Sequence, residues 1–175
     1  MKMLLSMLTG LCVALVSAGA AGAETKVVVK DVHLCCPACV SAVSKILKKV
    51  DGVQGKCDTR KKTITITATD DTTAQKALDA LAEGGFYGET DNKDLAMKAD
   101  TEAPKGKVKS LSLTGAHNCC GACCKAIKAA VKKVDGVTGD TAKPKQDSFE
   151  VTGDFDAGEL VKALQAAGFN VKVKK

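Results

Sequence analysis

The chain has 175 residues, and 26 Lys and Arg against 20 Asp and Glu leave a net charge of +6. With no Trp, one Tyr and four Phe, the basic residues have no aromatics to interleave with, so a stacking platform for nucleic acid has no support. There is no Gly-rich phosphate loop and no Ser/His/Asp set apart from two histidines standing beside cysteines, so no catalytic residue is assigned and the chain reads as a non-enzyme.

The first 23 residues read as an export signal. Lys2 gives a positive start, and residues 3–16 are almost wholly apolar but shorter than the ~20 residues that span a bilayer. Ala21-Gly22-Ala23 fits the small-residue cleavage rule, so cleavage is expected after Ala23. Cys12 would leave with the signal, and Thr9-Gly10-Leu11 before it does not resemble a lipoprotein box. No later apolar run is long enough to cross a membrane. The expected product is a periplasmic or secreted protein without a stable membrane anchor.

In chain order, residues 25–32 are Val-rich and read as a strand. From Pro37, Val40, Val43, Leu47 and Val50 recur at spacings of three and four, one face of a helix with Ser44, Lys45, Lys48 and Lys49 outside. Pro37 suits the first helical turn and Asp51-Gly52 its end. Residues 53–58 and the alternating 63–67 are strands, 73–83 a helix with Ala77, Leu78 and Leu81 inward, and 86–90 a last strand. The polar segment 91–104 reads as a flexible linker in which Leu95-Ala96-Met97 can form a helical turn. A second round follows: strand 107–114, helix 121–134 with Cys124, Ile127, Val131 and Val134 inward, strands 137–142 and 148–152, helix 156–167 and strand 169–173.

The two rounds are one repeat. His33-Leu34-Cys35-Cys36-Pro37-Ala38-Cys39 recurs as His117-Asn118-Cys119-Cys120-Gly121-Ala122-Cys123, and Lys48-Lys49-Val50-Asp51-Gly52-Val53 as Lys132-Lys133-Val134-Asp135-Gly136-Val137. Gly85-Phe86 answers Gly168-Phe169. The expected layout is a signal at 1–23, a first domain at 24–90, a linker at 91–104 and a second domain at 105–175. Of eight cysteines after the signal, seven lie in two tight clusters, whereas a disulfide framework spreads its cysteines to staple distant loops.

Strand–helix–strand–strand–helix–strand with Cys-x-x-Cys after the first strand resembles the heavy-metal-associated domain family, which includes copper chaperones, modules of metal-pumping ATPases and the periplasmic mercury-binding protein. The residues that carry the resemblance are Cys36-Pro37-Ala38-Cys39, Cys120-Gly121-Ala122-Cys123, the Val-Asp-Gly-Val after each first helix and the Gly-Phe before each last strand. It implies an α+β fold of two ferredoxin-like βαββαβ domains in tandem, each an antiparallel sheet with helices on one face. It also implies Cys36 with Cys39 and Cys120 with Cys123 as metal-binding pairs, and a metal transporter or another metal-binding protein as partner.

The chemistry fits a soft ion. A helix N-terminus favours thiolate, and two thiolates suit Cu(I), the first expectation, or Hg(II). The family's Gly-Met before the motif is replaced by His33-Leu34 and His117-Asn118, with Cys35 and Cys119 added; Leu34 can pack as the Met does, whereas Asn118 must find hydrogen bonds. With His33, His117, Cys35 or Cys119 as ligands, Zn(II) in a Cys3His set becomes possible. Neighbours in extended backbone point apart, so Cys35 and Cys36 are not expected to share one ion; a second ion or a cluster bridging two molecules is conceivable. Cys124 is expected in the core and Cys57 as a lone strand thiol. The rival readings are a thiol–disulfide redox protein using the same pairs, and structural disulfides.

Overall fold

The computed structural model describes residues 23–98 and 102–174; the expected export signal up to residue 22, with Cys12, and residues 99–101 of the expected linker lie outside them. The N-terminal half runs β1 (Thr25–Lys30), α1 (Pro37–Leu47), β2 (Val53–Asp58), β3 (Thr63–Ala68), α2 (Asp71–Glu83) and β4 (Glu89–Thr90). The C-terminal half repeats it with β5 (Lys107–Thr114), α3 (Gly121–Val131), β6 (Val137–Asp140), β7 (Phe149–Asp156), α4 (Ala157–Ala166) and β8 (Lys172–Val173). The sheets are antiparallel, ordered β2-β3-β1-β4 and β6-β7-β5-β8. That order, with two helices packed on each other and on the sheet, is the ferredoxin-like split βαβ arrangement.

Period-two burial makes each sheet one-sided. On β3, Ile64, Ile66 and Ala68 are buried while Thr63, Thr65 and Thr67 are half-exposed. Val27 and Val29 of β1 join them beneath Val43 and Leu47 of α1 and Leu78 and Leu81 of α2. In the second half Leu111, Leu113, Val151 and Phe155 lie under Ile127, Val131, Leu160 and Leu164. Asp70 and Asp156 cap α2 and α4 by accepting the N–H of Thr73 (2.7 Å) and Glu159 (3.0 Å).

Several boundaries and one helix face differ from the sequence reading. The buried stripe of α1 is Cys39, Val43 and Leu47, with Val40 and Val50 only half-buried, because the helix turns its first cysteine inward. α3 ends at Val131, its last amides closing a turn on Ala130 and Val131, although Val134 is buried as expected. α2 begins two residues early, at its Asp cap, and β7 extends to Asp156 through a bulged register. The final strands shorten to two residues because Phe86 and Phe169, expected in them, instead pair with each other across the halves as an antiparallel bridge. Leu95 and Met97 form no helical turn: both are buried, and Ala96 exchanges hydrogen bonds with the Gln75 side chain of α2. This stretch is an irregular strap tied to α2.

Candidate metal centre

The loops after β1 and β5 end at the N-termini of α1 and α3. Cys36 and Cys120 occupy the cap positions in extended backbone (φ −157° and −153°), neither with a side-chain cap, and Cys39 and Cys123 sit in the first turns. Under the loops, Leu34 is buried as an apolar plug. Asn118 at the equivalent place donates from its side-chain amide to the carbonyls of Lys143 (2.8 Å) and Gln146 (2.9 Å), and its backbone carbonyl accepts the N–H of Lys145 (2.8 Å).

Both loops face each other. Within the first, the Cys39 sulfur lies 3.8 Å from that of Cys35 and 3.6 Å from that of Cys36. Within the second, Cys123 lies 3.6 Å from Cys119 and 3.7 Å from Cys120. Across the halves, Cys35 approaches Cys120 at 3.6 Å and Cys123 at 3.4 Å. Cys119 approaches Cys36 and Cys39 at 3.7 Å each, and Cys39 and Cys123 meet at 3.9 Å. Three further pairs, Cys35 with Cys36, Cys36 with Cys120 and Cys119 with Cys120, fall within 4.8 Å. Cys35 and Cys36 therefore share a site despite being neighbours, because the Cys120 sulfur of the other half stands within reach of both. All eight described cysteines are free, and the shortest separation far exceeds a disulfide bond of about 2.05 Å.

What brings the loops together is a reciprocal contact that the sequence reading passed over. Beside the Phe86–Phe169 bridge, the His33 ring packs on Phe169 (centroids 4.6 Å apart) and the His117 ring stacks on Phe86 (4.2 Å). The carbonyl of Gly85 accepts the N–H of His117 (3.3 Å) and of Asn170 (3.1 Å), and that of Gly168 accepts the N–H of Tyr87 (3.2 Å). Gly85 and Gly168 both have positive φ, and a Cβ on either would come within 2.3 Å of backbone in the other half; only glycine fits. The repeated Gly-Phe was visible as a landmark, but nothing in one strand's pattern says that it meets its own copy.

Each sequence-assigned residue has a place in this arrangement. Cys35, Cys36, Cys39, Cys119, Cys120 and Cys123 form the cluster. A ring nitrogen of His33 lies within 4.8 Å of the Cys35 and Cys123 sulfurs, while His117 lies on Phe86. The Nε2 atoms of both histidines are buried without a hydrogen-bond partner. Cys124 is core, its thiol directed at the Ala142 carbonyl (3.5 Å), and Cys57 stands apart on β2.

The electrostatics favour a few thiolates, not six at once. Cys120 is lowered to about 6, chiefly because the Cys123 backbone N–H donates to its sulfur, with help from the Cys35 thiol and the Ala122 N–H. Cys39 also lies below the ordinary thiol value: burial opposes its ionisation, but hydrogen bonds from the Cys35 backbone and from the Cys36, Cys119 and Cys35 thiols outweigh it. Burial first, then neighbouring sulfurs, pushes Cys35 up. Cys119 and Cys123 are also raised, burial again the largest cause, although one thiol contact works the other way in each. The imidazoles are held below their usual value by burial, with Lys62 adding to the effect at His33 and the His33 charge at His117. The centre thus offers neutral imidazoles and thiols whose protons must leave as a cation enters.

Residues 119–170, under a third of the chain, match the heavy-metal-associated domain. Among solved structures, the chain is similar to a copper binding domain from HMA7, a P-type ATPase, at 20% identity and a TM-score of 0.36, over 39% of this chain and 96% of that one. It is also similar to the N-terminal soluble domains of Bacillus subtilis CopA, at 15% identity and a TM-score of 0.33, over 87% and 95% of the two chains. A structure of the water-soluble region of the same P-type ATPase aligns at 17% identity and a TM-score of 0.31, over 87% and 93%. No curated protein matches the chain in sequence. The domain match and the thiol cluster together mark a site for a soft metal ion.

Proposed function

We propose that this is an exported, non-catalytic protein that sequesters or relays a soft metal ion, Cu(I) before Hg(II) or Zn(II), through the thiolates of its two Cys-x-x-Cys loops. Its units are residues 24–90 and 105–175, joined by 91–104, with cleavage after Ala23. The observation that carries the reading is the convergence of six thiols at the N-termini of α1 and α3, because soft thiolate ligands select soft ions and helix N-termini favour the anionic sulfur. Cargo leaves by ligand exchange: a partner's thiolates, on a metal transporter or another metal-binding protein, enter through Cys35, the one exposed sulfur-bearing residue of the cluster, as the chain's own thiolates depart. Likeness of residues 119–170 to the heavy-metal-associated domain supports the same reading.

The test is competition. Reduced protein is titrated with Cu(I), Hg(II) or Zn(II) against a chelator of known affinity, beside a Cys36→Ser, Cys120→Ser double variant. Retention of Cu(I) by the parent and a loss of at least tenfold in affinity in the variant is expected. Equal retention by both would sink the proposal, and rapid reduction of a disulfide substrate by a protein that holds no metal would replace it with a thiol–disulfide exchange function. Export is read from the N-terminus of the protein recovered outside the cytosol, expected at Glu24.

A further inference from the structure

We infer that the six thiols form one chamber for a polynuclear Cu(I)–thiolate cluster, in which four ions are shared between the halves, and not two separate two-coordinate sites. This deepens the soft-metal reading and rests on it.

The argument is geometric. The twelve sulfur–sulfur approaches described above involve every pair of the six except Cys35/Cys119, Cys36/Cys123 and Cys39/Cys120. Those three pairs have no residue in common. Six points with twelve edges and three disjoint opposite pairs make an octahedron. Four alternating faces of it are Cys35/Cys36/Cys120, Cys36/Cys39/Cys119, Cys119/Cys120/Cys123 and Cys35/Cys39/Cys123. Each sulfur belongs to two of these faces, so four three-coordinate ions with doubly bridging thiolates satisfy every metal and every ligand.

The edge lengths decide between this and paired linear sites. A metal–thiolate bond of about 2.3 Å puts the sulfurs of a linear two-coordinate ion roughly 4.6 Å apart, and those of a trigonal ion roughly 4.0 Å apart. Cys36 and Cys39 are 3.6 Å apart and Cys120 and Cys123 3.7 Å, well short of the linear span. Five contacts between the halves, at 3.4 to 3.9 Å, overlap the 3.6 to 3.8 Å found within the loops, so no gap divides the thiols into two sites. Exchanging the halves also exchanges equivalent distances: 3.6 Å for Cys35–Cys120 and 3.7 Å for Cys36–Cys119, for example. That exchange converts the four faces into the complementary four. In either set, three of the four ions take thiols from both halves.

Charge agrees. With all six sulfurs as thiolates, four monovalent ions leave the core at roughly −2, and two helix N-termini face it. Reaction with Cu(I) is ligand substitution throughout; no electron moves.

The full-length reduced chain, titrated with Cu(I) under anaerobic conditions, tests this by native mass spectrometry and X-ray absorption. Below saturation the expected spectrum shows metal-free and four-copper forms of a single chain with little between, and saturated protein shows Cu–Cu scattering and the luminescence of solvent-shielded Cu(I) thiolate. A Cys35→Ser, Cys119→Ser variant keeps both Cys-x-x-Cys pairs and is expected to hold at most two ions, whereas Cys57→Ser still holds four. One- and two-copper forms in statistical proportion, without Cu–Cu scattering, would overturn the cluster and leave soft-metal binding standing. So would four ions retained by the double variant, loss of the four-copper form in Cys57→Ser, or four ions found only in a two-chain assembly. Failure to hold any Cu(I) against the chelator would remove the cluster and the proposed function together.

Discussion

The two halves put near-identical loops on different supports. In the first, Leu34 is a buried apolar plug and the sheet keeps a regular register; in the second, Asn118 is buried through three hydrogen bonds to the 143–146 turn and both partners of β7 carry register shifts. Val40 of α1 answers to Cys124 of α3, half-buried in one and buried in the other. A strap, Leu95 to Met97, covers α2 alone. Even so, the sulfurs of the two loops occupy equivalent places to within a few tenths of an ångström. Sulfur placement is thus set by the helix N-terminus and the reciprocal Gly-Phe contact, which the halves share, and not by what lies beneath the loop, which they do not.

That comparison can be broken from several sides. The largest effect is expected at the shared contact. Phe86→Ala and Phe169→Ala each delete a fully buried ring and should cost about 3–5 kcal/mol in chemical denaturation. Both should also weaken Cu(I) retention, since both hold the loops face to face; a loss confined to one variant would mean the contact is not reciprocal. Next come the plugs. Leu34→Asn places an amide where no turn is known to receive it and should cost about 3 kcal/mol, while Asn118→Leu strands the carbonyls of Lys143 and Gln146 for about 1–3 kcal/mol. Near-equal, sub-kilocalorie losses for the two swaps would show that the supports are interchangeable after all. Smaller still, Asp70→Ala and Asp156→Ala each remove one helix cap and should lower stability by about 1 kcal/mol. Because both caps lie far along the chain from the loops, Cu(I) stoichiometry should not change.

The last difference is one of reactivity. Cys120 is lowered to about 6 and Cys35 is raised, so metal-free protein near pH 7 should be alkylated at Cys120 faster than at Cys35, even though Cys35 is the more exposed residue. A thiol lowered in the fold binds fewer protons there than in the unfolded chain, so its contribution to stability is present above the ordinary thiol value and is lost as pH falls through about 6. Cu(I) retention should weaken in the same direction, protons competing for the sulfur. Peptide mapping with isotopically distinct alkylating reagents reads the order, and faster labelling of Cys35 would refute it.

Most of the fold was legible from local pattern. The alternation at 63–67, the Val-rich 25–32 and the apolar stripe of the second helix in each half report period and face directly, and the elements stand where they were expected. The exceptions have one cause. Residues 86–90 and 169–173 were expected as strands because each follows a helix at the end of the repeated element order, but Phe86 and Phe169 are spent on each other. Likewise Leu95 and Met97, in a polar stretch, gave no sign that they would be buried. Cys35 and Cys36 were set apart by strand alternation, a rule that holds within one segment and ignores a sulfur arriving from another.

By itself the sequence determined the repeated element order, the one-sided sheets, the thiol pairs at helix N-termini, the burial of Cys124 and the need of Asn118 for hydrogen bonds. All of these depend on residues close in the chain, where periodicity and backbone geometry act. Only the tertiary structure decided that the two loops confront each other, that glycine and phenylalanine of each half clasp their counterparts, and that six sulfurs close into one cluster. Those contacts join residues of different halves, and they depend on two packed surfaces fitting together, a property that no stretch of sequence carries alone.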